Sequence, residues 1–158
     1  MEQMVRMGEL AISNTQGHVL LSRGLGSCIG LAVVDKRAGV AGLAHIVLPE
    51  TSGTPAVAAL NKFADHAVPA LLDGLAELGA SRVFMRAYLV GGASMFASVA
   101  DIGARNAAAV RALLAGRRVP VAAEEVGGAK GRTIRVDVAS GEVSVREAGG
   151  VERELVTA

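Results

Sequence analysis

The sequence predicts a layered α+β domain, and three observations predict it. Residues 29–34 are continuously apolar, the pattern of a strand buried on both faces, and 40–48 read as a second buried run. Antiparallel hairpins are expected at both ends of the chain, one across residues 35–39 and one across the turn Ala139-Ser140-Gly141. Helical periodicity is confined to the middle of the chain, so the regular βαβ alternation of a doubly wound fold is missing.

Taken in order, residues 5–13 read as a first strand broken near Gly8, followed by a turn at 14–17 and a short strand over 19–21. Ser22-Arg23-Gly24-Leu25-Gly26-Ser27 reads as a glycine-bearing loop that ends at Cys28. The two buried strands follow, and Pro49 stops the second. Thr54-Pro55 suits a helix cap and first position. Pro69 calls for either a kink or a new helix starting near Asp65. Val68, Leu71, Leu72, Leu75 and Leu78 recur at helical spacing, with Gly79 as the stop. A strand over 82–90 leads to the pair Gly91-Gly92. A second helix is expected over 103–115, with Ile102, Val110, Leu113 and Leu114 facing the core and Gly116 ending it. Strands over 119–126, 133–138 and 142–146 close the chain. The sum is roughly eight strands and two or three helices in one domain over residues 1–158, with no repeat and no linker.

Composition excludes several function classes. Sixteen Lys and Arg stand against fifteen Asp and Glu, and three Phe, one Tyr and no Trp leave few stacking platforms, so nucleic-acid binding is not expected. Arg111, Arg117 and Arg118 fall late in the second helix, where cations favour the helix dipole. No apolar stretch reaches the ~18 residues that cross a bilayer, and Met1-Glu2-Gln3-Met4 lacks the start of a signal peptide. A cytoplasmic protein without membrane insertion is expected, in which the single cysteine stays reduced. One Cys and three scattered His give no metal-ligand spacing, and no cofactor is expected.

A lone cysteine is most often a small buried hydrophobe. Here Gly24 and Gly26 precede Cys28 and expose backbone N–H groups of the kind that hold an oxyanion in acyl transfer. If residues 28–34 and 40–48 pair as a hairpin, Cys28 lies beside the stretch from His45 to Val47. The two side chains share a face only in registers whose paired numbers sum to an odd value, such as 73 or 75, and the sequence leaves the register open. An ion pair of Cys28 thiolate and His45 imidazolium would activate the thiol near neutral pH. A core histidine satisfied by one carbonyl is the competing reading of His45.

Gly24-Leu25-Gly26-Ser27-Cys28 together with Ala44-His45-Ile46-Val47-Leu48-Pro49 resembles the signature of the CheD family of chemoreceptor glutamine deamidases. The resemblance extends through Phe63-Ala64-Asp65, Gly91-Gly92-Ala93-Ser94-Met95-Phe96, Ile102-Gly103-Ala104-Arg105-Asn106, Gly127-Gly128 and Gly149-Gly150. It implies an α/β sandwich of two packed, mainly antiparallel sheets, similar to cysteine toxin deamidases. It also implies conversion of chemotaxis-receptor glutamines to glutamate through a cysteine thioester, with hydrolysis of glutamyl methyl esters as a related activity. Cys28 and His45 match the first two members of the family's Cys–His–Thr triad. The threonine position, six residues before the cysteine, holds Ser22, which keeps the hydroxyl and loses a methyl. Gly26, Ser27, Gly91, Gly92 and Ser94 are the positions implied near the oxyanion or substrate. The implied partners are methyl-accepting chemotaxis receptors and a CheC-type chemotaxis phosphatase. The alternative function is a module that docks to that phosphatase or receptor with little turnover.

Overall fold

The computed structural model describes residues 1–94 and 101–156. In chain order its strands are β1 (Glu2–Met4), β2 (Leu10–Ser13), β3 (Val19–Leu25), β4 (Ile29–Asp35), β5 (Val40–Ile46) and β6 (Arg86–Gly91). After these come β7 (Val121–Val126), β8 (Arg132–Asp137), β9 (Val143–Glu147) and β10 (Arg153–Glu154). The helices are α1 (Ala64–Glu77) and α2 (Ile102–Gly116), with short 3₁₀ turns at Val57–Lys62 and Arg82–Phe84. One sheet has the order β2-β5-β4-β6-β7 and the other β1-β3-β8-β9-β10. The expected α+β sandwich of two sheets is therefore present. Both sheets are mixed, because β1 pairs parallel with β3 and β6 parallel with β7.

The continuous apolar runs take their meaning from the layering. Every residue of β4 and β5 is buried. Ile29, Leu31 and Val33 share one core with Val68, Leu71 and Leu75 of α1 and Val110 and Leu114 of α2. Cys28, Ala32 and Val34 share the other core with Leu20, Leu25, Ile134, Val136 and Val145 of the opposite sheet. Alternate side chains of one strand thus feed two cores, as the two-residue strand period requires. Each fully buried Leu or Ile contributes about 1.5–3 kcal/mol of transfer free energy.

Several boundaries differ from the sequence reading. The segment read as a loop over 22–27 is mostly strand, since β3 runs on to Leu25 across a bulge between Ser22 and Leu25 against β8. Of the first strand read over 5–13 only Leu10–Ser13 is strand, as β2, while β1 precedes that segment and belongs to the other sheet. Thr54 caps nothing: the following 3₁₀ turn starts after Ala56 and has no side-chain cap. Helix α1 starts at Ala64, as expected of a new helix beginning near Asp65, and carries Pro69 as its sixth residue, where the ring supplies no N–H to the carbonyl four residues back. Residues 82–84 form a 3₁₀ turn, and β6 begins only at Arg86. In α2, Val110 and Leu114 are buried, while Ile102 and Leu113 are half-buried. Arg111 and Arg117 pair with Glu124 and Asp73 across exposed surface.

Candidate active site

The hairpin register brings the cysteine and histidine to one face. Gly30 lies opposite His45 and Ile29 opposite Ile46, so paired numbers sum to 75. Cys28, two residues before Gly30, is then the diagonal neighbour of His45 on the side that faces the second sheet. Both are nearly covered, Cys28 at 8% exposure and His45 at 4%.

Backbone contacts from the end of β6 and the residues after it fix the cysteine. The Gly92 N–H donates to the Cys28 carbonyl at 2.9 Å, and the Ala93 N–H to the Gly26 carbonyl at 2.8 Å. Gly91 has φ +118, and a Cβ on it would stand 2.1 Å from the Cys28 carbonyl oxygen. Only glycine therefore lets β6 approach this closely. The buried Arg132 holds that segment from behind, donating to the carbonyls of Gly91 (3.2 Å) and Gly127 (2.7 Å) and to Glu125. The Ser94 N–H donates to the Gly128 carbonyl, and its side chain is exposed. Met95 and Phe96 lie outside the described residues.

The Gly26 N–H is committed to the Gly24 carbonyl at 3.0 Å, so it is not a spare donor for an oxyanion. Among the described residues, the N–H groups of Ser27 and Cys28 donate to no backbone carbonyl. The glycines at 24 and 26 thus shape the turn, and the uncommitted donors follow them.

His45 has a defined tautomer. Its Nδ1 lies 3.2 Å from the Val5 carbonyl oxygen, which can only accept, so Nδ1 carries the proton. Nε2 is buried and, among the described residues, without a hydrogen-bond partner, which leaves its lone pair as the available base. Ser22 is fully buried, and its hydroxyl donates to the same Val5 oxygen at 2.6 Å. The acceptor that orients the imidazole is therefore the main-chain carbonyl of Val5, to which Ser22 is also bound.

Electrostatics favour uncharged partners in this state. Burial pushes the Cys28 thiol above its ordinary 9.0, with its own backbone N–H opposing. Burial pulls His45 below its ordinary 6.5, opposed by the Val5 hydrogen bond and the charge of Glu9. Desolvation thus works against both charged forms, thiolate and imidazolium, in this buried setting.

Two further contributors lie outside the predicted site residues: Asn106, which the sequence offered only as part of a family motif, and Val5. Asn106 on α2 is fully buried and its Nδ2 donates to the carbonyls of Ser27 and Val47, each at 2.9 Å. It ties the residue before Cys28 to a residue just beyond His45. A polar residue on the apolar face shared by Gly103, Ala107, Val110 and Leu114 was the available signal, since a buried amide must find partners. Val5 acts through its backbone and carries no side-chain signal. Among the described residues no group of His, Cys, Asp or Glu is arranged to hold a metal. The other histidines serve locally, His18 with Ser13 and His66 with Asn61.

Fold and site together define a two-sheet α+β domain with a buried cysteine–histidine centre at the mouth of its central hairpin. The family model described as CheD chemotactic sensory transduction matches residues 47–147. A probable chemoreceptor glutamine deamidase CheD of Clostridium kluyveri is 44% identical over 153 residues, covering 92% of this chain and 94% of that protein. The like-named protein of Symbiobacterium thermophilum is 40% identical over 97% of this chain and 96% of its own length. That of Clostridium botulinum strain Alaska E43 is 39% identical over 94% of each. The chain belongs to the CheD family.

Proposed function

We propose that this chain, acting as one domain in the cytoplasm, deamidates glutamine side chains of methyl-accepting chemotaxis receptors. The observation that carries the reading is the His45 Nε2 lone pair, buried and unpartnered among the described residues, on the same face as Cys28. The thiol proton passes to Nε2 as sulfur attacks the glutamine side-chain carbonyl, and the oxyanion takes the N–H groups of Ser27 and Cys28. The imidazolium then protonates the amide nitrogen, ammonia leaves and a thioester remains. Water attacks the thioester, gives a proton to His45 and releases glutamate, and the thiol regains its proton. A glutamyl methyl ester would enter by the same steps with methanol as leaving group. No helix among the described residues is long and apolar enough to cross a membrane.

The reading is supported by the relatives' names and tested by mass spectrometry of a receptor fragment incubated with the chain. Glutamine-to-glutamate conversion, a gain of about one mass unit, is expected with the wild type and absent with Cys28→Ala. Equal conversion by that variant would remove Cys28 as nucleophile. A second reading, docking to a CheC-type phosphatase with little turnover, is favoured by the near-complete burial of Cys28. Tight phosphatase binding without conversion on any receptor would select it.

A further inference from the structure

The far end of β4 carries a second concavity, about 20 Å from Cys28 at ~3.3 Å per strand residue. It encloses about 280 Å³ and is lined by Val34, Lys36, Arg37, Phe84, Arg86 and Tyr88. The Arg37 guanidinium sits 4.2 Å above the centre of the Phe84 ring. Arg86 donates to the carbonyls of Val83 and Met85, which holds the 3₁₀ turn that presents Phe84. Among the described residues none of these three cations has a carboxylate within 4.0 Å. Asp35, their neighbour in sequence, is spent on the N–H groups of Ala38 and Ser81. On a chain of net charge +1 this is a local excess of positive charge. Beside it Phe84 is 45% exposed and Val83 71%.

Arginine and aromatic side chains around a concavity are the residue types that carry protein interfaces. A small organic anion would fill the pocket and leave Val83 in water, whereas a polypeptide segment covers both. The recessed Cys28 can receive little more than one side chain of a protein substrate. Binding energy for such a substrate then comes from contacts remote from the reacting carbonyl.

We propose that this pocket docks an acidic stretch of the chemoreceptor substrate, with carboxylates facing Lys36, Arg37 and Arg86 and an apolar side chain laid on Phe84 and Val83. The inference rests on the receptor-deamidase reading above and gives that substrate a second point of contact. The test compares the wild type with K36E/R37E and with Phe84→Ala. Three quantities are measured: binding of a receptor cytoplasmic fragment, steady-state deamidation of it, and the rate of Cys28 alkylation by iodoacetamide. Both variants are expected to bind the fragment more weakly, K36E/R37E by about tenfold or more through lost charge complementarity. KM should rise in step, with kcat and the alkylation rate unchanged. Added salt should weaken wild-type binding more than that of K36E/R37E. Fragment affinity equal in all three proteins overturns the docking site, and so does a loss matched by slower alkylation, which would mark damage to the active site. A wild type that fails to deamidate the fragment sinks the enzymatic reading alone, because the binding comparison still decides the docking site.

Discussion

His45 Nδ1 and Ser22 Oγ donate to one acceptor, the Val5 carbonyl oxygen, at 3.2 Å and 2.6 Å. A carbonyl has two lone pairs and can take both. The carbonyl is itself fixed, because the Val5 N–H donates to Leu21 at 2.8 Å just beyond the parallel pairing of β1 with β3. The N-terminal strand therefore sets the tautomer of the base, and the hydroxyl acts on the imidazole through the backbone.

Ser22→Ala follows from that arrangement. It removes one hydrogen bond to Val5 and leaves the His45 bond in place. A net hydrogen bond is worth about 0.5–1.5 kcal/mol, so kcat should fall about threefold to tenfold with KM little changed. Ser22→Thr keeps the hydroxyl but adds a methyl at a fully buried position, and should lose stability more than rate. Steady-state deamidation and thermal melting separate the two, and a hundredfold loss in Ser22→Ala would show direct hydrogen bonding to the imidazole during turnover.

The pH dependence has a definite sign. His45 is held below 6.5 in the folded state, so the unfolded chain binds the extra proton first as pH falls. Stability from the neutral imidazole is present above 6.5 and is lost as pH drops through the window beneath it. Cys28 is held above 9.0, so its share is present below 9.0 and is lost as pH climbs past it. The acid limb of kcat/KM should likewise fall below 6.5, where the base becomes protonated. Denaturant melts from pH 5 to 10 check this. In His45→Gln the acid-side loss should shrink, and an undiminished loss would assign it to other groups.

The central hairpin was legible because its signals are local: two apolar runs around a glycine-ended turn, with parity alone deciding whether Cys28 and His45 share a face. The sum of 75 came from tertiary pairing, which the sequence left open. Residues 22–25 were misread because their glycine content resembles a loop, while β8 pairs them into a bulged strand. The parallel contacts of β1 and β6 are non-local and have no pattern of their own. Nor does the sequence show how far desolvation opposes an ion pair of Cys28 and His45, because that depends on how completely the second sheet covers them.

Gly91→Ala should be among the most damaging single-methyl changes. Its Cβ would fall 2.1 Å from the Cys28 carbonyl at φ +118, so the strand carrying the thiol must move. A displacement of about 1 Å at a reacting centre costs on the order of a hundredfold in rate. Gly39→Ala is the control, since Gly39 also has positive φ (+70) but nothing within 4 Å of the added atom. It should lose about 1–2 kcal/mol of stability and keep its activity. Equal activity losses in the two variants would point to backbone strain in general as the cause.

Asn106 supplies the last prediction. Its two bonds join Ser27 and Val47 from a helix that contributes no reacting group. Asn106→Ala leaves two carbonyls without their donor, at about 1–3 kcal/mol for each that stays buried and unpaired. Asn106→Asp puts a carboxylate against the same two oxygens and should be worse, unless it takes up a proton. Both variants should lower the melting temperature. Because Ser27 leads directly into Cys28, both should also slow deamidation and Cys28 alkylation in proportion. An Asn106→Ala protein that melts early but alkylates and turns over at the wild-type rate at low temperature would confine Asn106 to stability. A parallel loss of rate and alkylation would show that the amide holds the nucleophile in register with His45.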